Sequence, residues 1–86
     1  MTDNDPLHFP CDFPIKALGA GDDFRELVIG IVRGHAPDLG PAAASVRASR
    51  AGSYLAVTVV VQASSRAQLD AIYQELSAHR RVLMAL

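Results

Sequence analysis

The sequence predicts an α+β sandwich, one four-stranded antiparallel sheet carrying two helices on a single face. Three observations lead there. Residues 54–63, YLAVTVVVQA, alternate and are rich in β-branched side chains, the pattern of a strand half buried in a sheet. Two stretches, one after Asp23 and one after Ser65, place apolar residues at helical spacing. Strand-like and helical stretches then follow one another as βαββαβ within 86 residues, a length suited to one domain.

Residues 1–10 hold Asp3, Asn4, Asp5, Pro6 and Pro10 and are read as a flexible tail, with Phe9 folding back onto a single domain spanning 11–86. Residues 12–20 alternate, with Phe13, Ile15 and Ala17 on one side and Lys16 and Leu18 on the other. Gly19-Ala20-Gly21 breaks this first strand. Phe24, Leu27, Val28, Ile31 and Val32 form the apolar stripe of the first helix. Asp23 and Glu26 stand at capping-box spacing, with Asp22 as the other candidate cap, and acidic residues suit the positive end of the helix dipole. His35-Ala36-Pro37 closes the helix, because the residue before proline avoids helical backbone.

Residues 42–50 are read as the second strand, with Ala44, Val46 and Ala48 facing in and Arg47 and Ser49 facing out. Ala51-Gly52-Ser53 is a hairpin connection. The third strand turns Leu55, Val57, Val59, Val61 and Ala63 to the core. Ser65 and Gln68 have capping-box spacing, and Leu69, Ile72, Tyr73 and Leu76 form the second apolar stripe. Arg80 and Arg81 fall near the end of that helix, where the dipole favours cations. Residues 82–86 make a short last strand. Right-handed crossovers turn this order into a ferredoxin-like βαββαβ sandwich with strand order 4-1-3-2. The expected core is Phe13, Ile15, Leu27, Val28, Ile31, Val46, Val57, Val59, Val61, Leu69, Ile72 and Leu76.

Half of the residues are hydrophobic, enough for one core without a metal or a disulfide. Cys11 is the single cysteine, and no Cys/His cluster exists to hold zinc, so no metal and no cofactor are expected. A lone thiol fits a reducing compartment, and cytoplasmic localisation is expected. The polar, acidic first residues do not resemble a secretory signal, and charges interrupt every apolar run before it reaches membrane-spanning length. Eight basic residues against nine acidic ones argue against a nucleic-acid partner.

Catalytic chemistry finds little support. Cys11 sits beside Asp12, whose charge would raise a thiol pKa rather than lower it. Ser64 and Ser65 suit helix capping, and no GxSxG elbow is present. His35 and His79 end the two helices, where a dipole accounts for them. The third strand lacks the aromatic array with which RNA-recognition sheets stack bases. No residue is therefore assigned a catalytic role, and no enzyme is expected.

Two candidate surfaces remain. Lys16 points from the first strand to the open face of the sheet, and Gly19, Gly21 and Asp22 follow in a turn whose backbone N–H groups suit a small ligand. Asp22 and Asp23 would repel a phosphate. Arg47, Tyr54, Thr58 and Val60 are the candidate interface residues, backed by Leu18, Ala56, Leu83 and Ala85 as apolar members of the exposed face. The second strand, at the sheet edge, is a further place for a second copy or a partner to pair.

Several segments also carry a resemblance. FPxxFPIKALG at residues 9–19, HAP at 35–37, GSYLAVTVVVQASS at 52–65, QLDAIYQEL at 68–76 and the closing VLMAL resemble the YbeD-like family of small bacterial proteins, a domain of unknown function. The resemblance implies a ferredoxin-like fold similar to the regulatory ACT domains of amino-acid metabolism. It also implies a link, suggested for the family, to lipoate synthesis or allosteric regulation. It brings no catalytic residues. In ACT domains the corresponding strand-to-helix turn takes part in amino-acid binding, a match of position only.

The expected function is a non-enzymatic, ACT-like regulatory or adaptor domain acting through protein contacts. The alternative is a sensor for an amino acid or small carboxylate at the turn between strand one and helix one. A protein partner or self-association is expected, and neither nucleic acid nor membrane.

Overall fold

A computed structural model describes residues 7–49 and 52–86 of the chain. Seven elements follow in order: β1 (Cys11–Gly19), α1 (Phe24–His35), a 3-10 turn (Pro41–Ala43), β2 (Ala44–Ala48), β3 (Leu55–Ala63), α2 (Arg66–Ala78) and β4 (Val82–Ala85). The strands form one antiparallel sheet in the order β2-β3-β1-β4, the expected 4-1-3-2 order read from the other edge. This is the ferredoxin-like arrangement.

Alternation along the strands decides what is buried. Ile15 and Ala17 of β1 and Val57, Val59, Val61 and Ala63 of β3 lie beneath the helices, which contribute Phe24, Val28, Val32, Leu69, Ile72 and Leu76. Each fully buried aliphatic or aromatic side chain contributes roughly 1.5–3 kcal/mol, so this layer is the main source of stability. Phe13, Leu27 and Ile31 are half buried and pack against its margin. Leu7 and Phe9 do the same, so the chain folds back before β1, and residues 1–6 of the expected tail lie outside the described residues.

Four expectations are corrected. β2 is shorter than residues 42–50, because Pro41–Ala43 forms a 3-10 turn, and Arg50 lies outside the described residues. Val46 faces the helix side opposite Val57 but remains 42 % exposed, since it lies on an edge strand that α1 covers only in part. The Asp23–Glu26 capping box does not form; Asp23 is the N-cap without a side-chain cap bond, because its carboxylate is engaged by Arg81. Ala85 faces the core, opposite Ala17, while a bulge between Leu18 and Gly19 leaves Leu83 exposed.

The second capping box is half realised. Ser65 accepts the Gln68 N–H at 3.1 Å, but the Gln68 side chain turns outward from the box. Its Oε1 accepts the Ser64 N–H at 2.8 Å, and its Nε2 donates to the His35 carbonyl at 2.8 Å. His35 Nε2 lies 2.7 Å from Glu75 Oε1. Two polar links thus join the end of α1 to α2.

Candidate functional site

The face of the sheet away from the helices is built by the even-numbered residues of β1 and β3, whose odd-numbered neighbours are buried or half buried. Register then brings separate stretches of chain together. Lys16 stands opposite Thr58, Thr58 opposite Ser45, and Arg47 opposite Ala56. Lys16, Ser45, Val46, Arg47, Ala56 and Thr58 line a groove of about 340 Å³. The small side chains of Ala56 and Thr58 occupy the central strand between the two long cations.

Lys16 is fixed at its backbone. Its N–H donates to the Leu86 carbonyl at 3.0 Å, and its carbonyl accepts the Leu86 N–H at 2.7 Å. The Tyr73 hydroxyl donates to the same Leu86 carbonyl at 2.8 Å, and burial pushes its pKa above the ordinary 10.0. Among the described residues, neither Lys16 nor Arg47 makes a salt bridge. Val60, Met84 and Leu86 surround this centre at 43, 51 and 60 % exposure.

The turn after β1 is a different environment. Gly19 is buried, and a Cβ there would meet the Phe24 ring and, at 2.7 Å, the Arg81 carbonyl. Gly21 has φ of +110°, a conformation for glycine, and a Cβ would strike the Arg81 guanidinium. Arg81 reaches into the turn, donating to Asp23 Oδ1 at 2.6 Å, to Asp23 Oδ2 at 3.1 Å and to the Ala20 carbonyl at 2.9 Å. Those hydrogen bonds, then the backbone's own, hold the Asp23 carboxyl below its ordinary value. Asp22 is exposed beside this clamp.

The expected residues therefore divide. Lys16 joins Arg47 and Thr58 of the interface set, whereas Gly19, Gly21 and Asp22 do not line that groove. Tyr54 is 47 % exposed at the start of β3, where its N–H donates to Ser49 Oγ at 3.2 Å. Val60 borders a second groove, of about 480 Å³, between the far half of β3 and the loop at residues 36–40. That groove exists because β2 pairs only with residues 55–59 of β3.

Arg81 was not anticipated as the clamp of the turn. No local pattern signals it, because Arg81 and Asp23 lie 58 residues apart. Cys11 faces the core side of β1 opposite Ala63 and is half buried. Among the described residues no cluster of three His, Cys, Asp or Glu side chains suits a metal, and no helix is long and apolar enough to cross a membrane.

Residues 4–86 match the family described as Protein of unknown function (DUF493). The chain is 45 % identical to the UPF0250 protein NE1487 of Nitrosomonas europaea over 87 residues, covering the whole of both chains. It is 45 % identical to a UPF0250 protein of Ectopseudomonas mendocina over 92 residues, again covering both completely. A UPF0250 protein of Chromobacterium violaceum is 46 % identical over 81 residues, which cover 93 % of this chain and 91 % of that one. No solved structure matches the chain.

Proposed function

The chain belongs to the DUF493 family, and we propose that it is a non-enzymatic, ACT-like regulatory or adaptor domain acting through protein contacts on its open sheet face. One observation carries this reading. Val60, Met84 and Leu86 stand 43–60 % exposed around a cationic groove whose backbone is held rigid by the sheet. Exposed apolar side chains grouped around fixed polar ones are the ordinary make-up of a protein contact surface. The choice against an enzyme rests on Ser65 serving as a helix cap and on Cys11 packing at the core margin. A cytoplasmic setting is supported by the lone thiol of Cys11, and a link to lipoate or amino-acid metabolism by the family resemblance.

The alternative is a sensor of an amino acid or small carboxylate at Gly19, Gly21 and Asp22. Such a ligand has to displace Arg81 from Ala20 and Asp23, so the turn is the weaker choice. Affinity isolation from the source bacterium tests the main reading. A protein retained by the parent chain should be lost with Val60→Glu and kept with Asp70→Lys on the exposed side of α2. Equal retention by both variants counts against the sheet face.

A further inference from the structure

We propose that the groove between Lys16 and Arg47 seats the acidic side chains of an extended segment of a partner protein. This rests on the reading that the open sheet face contacts protein, and it names the chemistry of what is contacted. Arg25, Arg33 and Arg81 are each engaged, with Glu26, the Leu39 carbonyl and Asp23 respectively. Lys16 and Arg47 make no such bond among the described residues, yet line one groove. Ser45 and Thr58 add hydroxyl donors between them, and no carboxylate is part of the lining. An entering carboxylate thus meets two cations and two hydroxyls, and no acidic side chain of the lining.

The same geometry favours a protein segment over a free anion. An exposed ion pair contributes little on its own, and the groove is open rather than enclosing. Leu18 and Met84 pair on neighbouring strands beside Lys16, and Leu86 stands opposite it, so apolar contact lies next to the charged centre. Alternate side chains of an extended segment fall on the same face about 6–7 Å apart, which lets acidic residues recur along the groove. Several weak ion pairs backed by apolar burial then act together.

The test is an amide-shift titration of the full chain with the acetylated, amidated peptide Leu-Glu-Val-Glu-Leu-Glu. Signals of Lys16, Arg47, Ala56 and Thr58 should move saturably, and the peptide with Gln in place of Glu should leave them still. Lys16→Gln and Arg47→Gln, both at exposed positions and checked for an unchanged fold, should each weaken binding about 1.5- to 5-fold. Equal binding of the Gln peptide overturns the proposal, as does equal saturation by free glutamate or by an oligouridylate. Absence of any shift at millimolar peptide also overturns it. In affinity isolation, a partner lost with Val60→Glu but retained by the double Gln variant removes the acidic preference and leaves the sheet-face reading standing. A partner lost with neither removes that reading itself.

Discussion

At Gly19 the backbone passes so close to the Phe24 ring and the Arg81 carbonyl that a methyl group has no room. Gly19→Ala should destabilise the fold by about 1–3 kcal/mol, seen as a lower urea midpoint with an unchanged m-value. The clamp at Asp23 behaves differently, because it is exposed and responds to pH. Its carboxyl titrates below 3.8 in the folded chain, so the unfolded chain takes up the proton first as pH falls. The contribution of the pair is complete above that ordinary value and is lost as pH drops through the lower folded one. Arg81→Ala should therefore lower the urea midpoint at pH 7, and the gap to the parent should shrink below about pH 3.8. A gap of constant size down to pH 2.5 contradicts this. The glycines were legible as a turn from sequence; their partner was not, since Arg81 lies 58 residues from Asp23 and only the closed fold joins them.

At the scale of the elements, local pattern carries most of the secondary structure. Helical spacing marked both helices, and Ser65 was recognisable as a cap because its bond to the Gln68 N–H is only three residues long. Ser65→Ala should cost about 1 kcal/mol, measured as a lower thermal or urea midpoint. β2, Ala44–Ala48, is shorter than local pattern suggests. Residues 42–44 are three alanines that mark no boundary, but Pro41 starts a 3-10 turn there, and Val46 is left partly uncovered by helices whose lateral position no local pattern specifies. The short β2 also leaves a readable mark on β3. Because Lys16 exchanges its backbone bonds with Leu86, Lys16 and Thr58 face away from each other's main chain, and the antiparallel ladder alternates from that point. Val59 and Val61 thus bond to β1, whereas Gln62 directs its N–H beyond the last paired row of β2, at Ala44 and Val59. Amide exchange should be slow at Val59 and Val61 and markedly faster at Gln62; equal protection of Val61 and Gln62 contradicts the truncated edge.

For the whole molecule, the sandwich puts the helices and the buried core side chains on one side of the sheet, leaving the other face to be defined by register. That face was partly legible: Lys16, Arg47, Thr58 and Val60 follow from alternation alone. Their convergence does not, because it depends on how three strands line up side by side. Met84 and Leu86 enter the surface, and Ala85 leaves it, only once the bulge opposite Gly19 sets the phase of β4. The face has a cationic centre, an apolar surround and a rigid backbone, and the account rests on its meeting another protein. The most direct measurement is quantitative affinity isolation from the source bacterium with the parent chain, Val60→Glu, Met84→Glu and Asp70→Lys, each confirmed as folded. One protein should be enriched by the parent and by Asp70→Lys and depleted by both sheet-face variants. Enrichment indifferent to Val60 and Met84, or depleted only by Asp70→Lys, contradicts it.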